Sequence, residues 1–175
     1  MKAPRQGLAL TTALLGTILA CSEGGRGEVA PTQWVEWSDE ELGFSLQYPS
    51  DWTLHEDEEL ISVTNPDQTA AISLGWHQLA PGQAIQGLAD ELVAVTAADL
   101  TDPVLVPIRQ DGVDTIEVAL TGVDTSGIRW IHHFVVSSGR TRALVVQTIA
   151  REDASGSAKP IFEFILTSLE TAGDH

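Results

Sequence analysis

The sequence predicts one α+β domain built on a mainly antiparallel sheet of about six to eight strands with two main helices. Two observations lead there. Most apolar runs either alternate with polar residues or form short β-branched segments between turn residues, and only two stretches carry apolar residues at helical spacing. Parallel strands would each need a crossover, and two helices are too few to supply them, so meandering hairpins are expected.

The chain opens on Met1-Lys2-Ala3-Pro4-Arg5, a short basic head, and residues 8–20 are Leu, Ala and Ile interrupted only by Thr and Gly. Basic head, apolar middle and a small residue at the end make residues 1–20 an export signal. A spanning helix needs roughly 20 apolar residues. This run is shorter and is followed at once by Ser22-Glu23-Gly24-Gly25. The junction Ile18-Leu19-Ala20-Cys21 resembles the lipobox of bacterial lipoproteins, with Leu19 where the pattern more often has a smaller residue. The resemblance implies a diacylglyceryl group on the Cys21 thiol and cleavage just before it. The alternative is an ordinary signal followed by an incidental cysteine. Against it, Cys21 is the only cysteine, and an exported protein with one cysteine has no intramolecular disulfide to form. Two or three acyl chains, each contributing about 0.8 kcal/mol per buried methylene, would anchor the protein firmly.

Residues 21–33 read as the lipidated tether, because Ser22–Thr32 is rich in Gly, Glu and Pro and has little to bury. Fully extended it reaches at most about 40 Å. Residues 34–170 are the domain and 171–175 a short tail. Trp34 and Trp37 stand at the entry to the domain, where they are either the first strand covering a sheet edge or a docking hook for a partner. Aromatic residues dominate interface hot spots, but Trp-Val-Glu-Trp leads straight into the domain, which favours the strand.

Phe44–Tyr48 alternates at period two and is stopped by Pro49-Ser50-Asp51. Trp52–His55 and Leu60–Thr64 read as short strands around the acidic loop Glu56–Glu59, and Asn65-Pro66-Asp67 is the next turn. In the strand from Ala70 to His77, Ile72, Leu74 and Trp76 share one face and Ala71, Ser73, Gly75 and His77 the other. After Pro81-Gly82 the period changes, and Ile85, Leu88, Ala89, Leu92 and Val95 form one helical stripe. Val104–Arg109 and Thr115–Thr121 follow as strands joined at Asp111-Gly112, with Ile116, Val118 and Leu120 toward the core. Arg129–Ser137 and Thr141–Ala150 form a hairpin around Ser138-Gly139-Arg140. A closing helix is expected to start near Pro160, with Ile161, Phe164, Ile165, Ser168 and Leu169 on one stripe.

Gly43-Phe44-Ser45-Leu46-Gln47-Tyr48-Pro49-Ser50-Asp51-Trp52 resembles the opening motif of PsbP-like domains, and Phe162–Leu169 resembles their C-terminal helix. The likeness extends over the element order of residues 34–170, and its motif, apolar-Tyr-Pro-x-x-Trp, is short. It implies an α/β/α sandwich around an antiparallel sheet, in a group that includes PsbP, Mog, DcrB and LpqN. It also implies protein binding rather than catalysis, and no functional residue transfers, since only scaffold positions match.

Composition narrows the partners. The chain has 25 acidic and nine basic residues, a formal charge of −16, and losing the signal removes two of the bases and no acid, giving about −18. That balance argues against nucleic acid, whose phosphates are bound by Lys and Arg. It suits solubility or a cationic partner.

No chemistry-bearing constellation emerges. His55-Glu56 begins an HExxH pattern, but Glu59 stands where the second ligand belongs. The Glu56–Glu59 run lacks the spacing and turn glycine of a calcium loop. His132 and His133 are adjacent on a strand, hence on opposite faces, and cannot chelate one ion as neighbours. The small-residue face beside His77 would let a helix or a ligand approach closely, and the helix is the expected occupant. There is no G-x-S-x-G, S-x-x-K or phosphate loop. Catalytic, metal and cofactor residues are therefore none. The expectation is a non-catalytic extracytoplasmic lipoprotein that binds an envelope protein, with the carrying of a small hydrophobic or lipid ligand as the alternative.

Overall fold

The computed structural model describes residues 33–40, 42–57, 60–107, 114–139 and 141–171. The expected signal, Cys21, the tether up to Thr32, the Asp111-Gly112 turn and the last four residues of the tail lie outside the described residues. In chain order the elements are β1 (Trp34–Asp39), β2 (Phe44–Pro49), β3 (Thr53–Glu56), β4 (Leu60–Thr64), β5 (Ala70–Gln78), α1 (Ile85–Ala98), β6 (Thr101–Pro107), β7 (Thr115–Val123), β8 (Arg129–Ser138), β9 (Arg142–Arg151), α2 (Ser155–Ser168) and β10 (Glu170–Thr171).

The strands make two sheets. Seven are ordered β3-β4-β5-β9-β8-β7-β6, and three are ordered β1-β2-β10. Every pairing is antiparallel. The mainly antiparallel sheet with two helices is thus what forms. The small second sheet is the addition, and Thr171, expected in the tail, pairs with Phe44 inside it.

Period-two alternation places the helices on opposite faces of the large sheet. Ile72 and Leu74 of β5 lie opposite Thr148 and Val146 of β9, and this face is closed by α2 and β2 in a core holding Phe44, Leu46, Trp52, Ile61, Val63, Phe162 and Ile165. The other face carries Ile116, Val136 and Ala143, covered by Ile85, Leu88 and Ala89 of α1. The result is an α/β/α sandwich in which each helix lies over a different half of the sheet. α1 packs on β7, β8 and β6, and α2 on β2, β9 and β5.

Three local expectations need correction. First, α2 begins at Ser155, five residues before the expected start, and Pro160 sits inside it. Proline there gives up one helical hydrogen bond, which is tolerable because Gly156, whose carbonyl loses its donor, is exposed to water. The buried stripe is accordingly Ala158, Phe162 and Ile165, whereas Phe164 is 40% exposed. Second, β6 starts at Thr101 through a register shift before Val104. Asp102 takes φ +50° there, so Asp-Pro, which reads as a turn, forms a bulge within the strand. Third, Val95 is 64% exposed, so the last position of the α1 stripe has left the sheet.

The edge strand β6 is blunted by its prolines. Pro107, opposite Val118, has no N–H to give, and Pro103 lies in the bulge where the ladder is already interrupted. The other end of β7 is closed by a turn organised on Asp124. Its carboxylate accepts hydrogen bonds from the Ser126 amide and hydroxyl, the Ile128 amide and the Trp130 indole, at 2.7–2.9 Å. Gly127, at φ +85°, completes the turn. The Ser126 and Trp130 bonds, then those from the amides, hold the Asp124 carboxyl well below the usual carboxylate range. A depressed folded value contributes stability above about pH 3.9, lost as pH falls through the folded value. The Asp124 carboxyl carbon shift is therefore expected to stay flat in an NMR titration while other Asp residues protonate. An ordinary Asp titration would show that the turn is open in solution.

Candidate functional site

The residues singled out by sequence are dispersed by the fold. Trp34 and Trp37 both lie in β1, the edge of the small sheet, and both are half-buried. Three residues apart, they face opposite sides. The Trp34 ring is 3.8 Å from Phe164 of α2, centroid to centroid. Trp37 lies opposite Leu46 and donates its indole N–H to Glu56 Oε1 at 2.6 Å, tying the small sheet to β3. The small sheet is further fixed by Phe44 stacking on Trp76 at 5.3 Å and by the Trp76 indole donating to Leu42 O at 2.7 Å. Arg142 lies over the Trp76 ring, 4.1 Å from its centroid.

His132 and His133 point to opposite faces, as alternation requires. His133 shares its face with Glu117 of β7, and His133 Nε2 is 3.6 Å from Glu117 Oε2. Sequence spacing alone hides that pair, because it depends on the β7–β8 register, in which Ala119 lies opposite His133 and Val135 opposite Glu117. His132 lies on the α1 face, is 7% exposed and stacks near-parallel on Phe134. The Gln147 side-chain amide is 3.2 Å from His132 Nδ1, while Nε2 is buried without a partner. Burial pushes the His132 imidazole down from its ordinary value.

That buried nitrogen gives a test of the packing. His132→Leu keeps a side chain of similar size and removes the unpaired group, while half-buried Gln147 can turn to water. The variant is expected to be more stable at pH 7 by about 1 kcal/mol. A basic group whose folded value is depressed loses stability as pH falls through the unfolded value, about 6.5, so the margin is expected to widen below that pH. Urea midpoints at pH 7 and pH 5 that do not move apart would contradict this.

The main contacts of α1 lie away from the small-residue face of β5. No β5 residue belongs to the buried cluster beneath α1, which sits over β7, β8 and β6 instead. Ala71 and Ser73 are half-buried, Gly75 is buried and His77 is exposed. A small residue is closely approached at Gly122 of β7. A Cβ there would lie 2.8 Å from Leu100 Cβ and 2.9 Å from Leu100 Cδ1, so Leu100 folds directly onto the backbone where the chain turns from α1 into β6.

For chemistry the arrangement offers little. Among the described residues no group of three His, Cys, Asp or Glu side chains comes together to hold a metal ion, and His55 and Glu56, the start of the HExxH-like run, are exposed on an edge strand. No helix among the described residues is long and apolar enough to cross a membrane.

No protein-family model matches the chain, and no curated protein matches it. Solved structures do. The cyanobacterial PsbP protein CyanoP from Synechocystis is 14% identical, with a TM-score of 0.56 over 85% of this chain and 98% of CyanoP. The Pseudomonas aeruginosa protein PA94 is 10% identical, with a TM-score of 0.50 over 77% of this chain and 94% of PA94. LpqN of Mycobacterium tuberculosis, involved in cell envelope biogenesis, overlaps more loosely, at 15% identity and a TM-score of 0.42 over 79% of this chain and 90% of LpqN. The agreement with CyanoP spans nearly that whole protein, and the domain has the PsbP-like α+β fold.

Proposed function

We propose that this protein is a non-catalytic, extracytoplasmic lipoprotein whose PsbP-like domain binds another protein of the cell envelope. The observation that carries the reading is Cys21, the sole cysteine, placed at the end of an apolar run with a basic head and followed by a short polar stretch before β1. The fold is consistent with it. Asp124 organises a turn and Glu56 holds Trp37, so these two carboxylates serve the fold. A domain held within about 40 Å of a bilayer by its tether meets partners of that membrane at high effective concentration.

The ligand-carrier alternative asked for a space beneath a helix at Ala71, Ser73 and Gly75. That face lies outside the buried cluster beneath α1, which sits mainly over β7 and β8, and protein binding is the better-supported reading. In native membranes, proximity crosslinking followed by reciprocal capture is expected to return one reproducible envelope partner. A chain that is anchored, folded and reproducibly without a partner would overturn the binding role.

A further inference from the structure

We propose that the open edge of β1 receives an extended, basic segment of the partner as a fourth strand of the small sheet. This rests on the partner-binding reading above and names where and what the partner is. The hydrogen-bond phase of β1 follows from β2. Pro49, opposite Trp34, has no N–H to exchange, while Gln33 O accepts from Ser50 N at 3.0 Å. Odd-numbered residues of β1 therefore bond to β2. Trp34, Glu36 and Ser38 turn their N–H and C=O groups outward, and among the described residues no strand pairs with that side.

Of the four sheet edges this one is the most receptive. β6 is disarmed by two prolines, β10 has two residues and β3 four, whereas β1 offers six without a proline or lysine. Its faces set the chemistry of the incoming strand. Val35, 39% exposed, asks for an apolar neighbour on one face, and exposed Glu36 for a cationic one on the other. The wider field has the same sign. From Trp34 to Gln78, the stretch that supplies β1 to β5, the sequence contains ten Asp or Glu and no Lys or Arg, so the small sheet and the β3–β5 end of the large one carry an anionic field that steers basic segments and repels acidic ones. A second copy would set Glu36 near Glu36, which disfavours self-pairing.

The probe is a ten-residue peptide of alternating Lys and Val, compared with its Glu/Val counterpart and with a Lys/Val peptide N-methylated on alternate amides. With the full chain in detergent micelles, the Lys/Val peptide is expected to slow hydrogen exchange at Trp34, Glu36 and Ser38. Glu36→Lys and Ser38→Pro are each expected to weaken it by about tenfold, through a reversed charge and a lost donor. Equal binding of the N-methylated peptide would reduce the effect to charge adhesion and overturn the strand addition. The same amides already protected in the chain alone, as a monomer or a dimer, would show that this chain occupies its own edge and overturn the basic partner.

A photoreactive side chain in place of Val35 or, on the remote surface of α1, Val95 separates this proposal from the one beneath it. In native membranes, crosslinks from position 35 that map to a basic extended segment support both. Crosslinks from position 95 alone overturn the β1 edge and keep the binding role, and none from either overturns both.

Discussion

Phe134→Ala is expected to remove about 3–5 kcal/mol of folding stability. Phe134 is 2% exposed in β8, with β9 and β7 on either side. Its ring lies on the α1 face, stacked on His132 and flanked in register by Gln147 and Val118. Truncation opens a cavity among residues held by backbone ladders on both sides, which cannot collapse into it. The loss is a large share of the about 5–15 kcal/mol that holds a domain folded. Urea unfolding followed by circular dichroism reads it directly. A loss below about 1 kcal/mol would mean that the face between α1 and β8 is loosely packed.

Gly122 makes a second strong prediction because two effects oppose each other there. A β-branched residue within a strand gains up to about 1 kcal/mol from strand propensity, and on sequence grounds Gly122→Val should stabilise β7. The structure argues the reverse. A Cβ at Gly122 meets Leu100 at 2.8 Å, and the contact is with Leu100 Cβ, which moves only with its backbone. Overpacking of this kind costs about 1–3 kcal/mol, so Gly122→Ala is expected to destabilise and Gly122→Val to destabilise more. Leu100→Ala in the Gly122→Ala background is expected to recover part of the loss, because it removes the atoms beyond Leu100 Cβ. If Gly122→Val proves more stable than the native chain, the packing of the α1 to β6 connection is not as described.

The same contrast explains how much of the fold was legible. The β8–β9 hairpin and β4 fall where their patterns place them, since a strand with one buried face writes period two into its residues. The stripe of α1 is legible up to Leu92 and fails at Val95, where the helix passes beyond the sheet. Pro160 misled because proline is usual in a first turn, yet Ser155 to Ala158 already form a helix on the strength of Ala158 packing into the core. The small sheet was invisible because β10 is two residues long and pairs with Ser45 and Phe44, far away in sequence.

Of the candidate site, less was readable. Alternation alone sends His132 and His133 to opposite faces. Their partners, Gln147 and Glu117, depend on a register that no local pattern specifies. Trp34 and Trp37 were recognisable as an entry strand, but the contacts that half-bury them come from Phe164 and Glu56, on elements brought there by the fold. The tight packing of Leu100 on Gly122 was not readable either, because which glycine a neighbour crosses is decided by where α1 ends.

The N-terminus of the protein as it occurs in membranes tests the lipid anchor most directly. Mass spectrometry of the N-terminal tryptic peptide is expected to show a peptide running from Cys21 to Arg26 with a diacylglyceryl thioether on the Cys21 sulfur. A peptide that begins at another residue, or one that carries Cys21 as a free thiol, would contradict it.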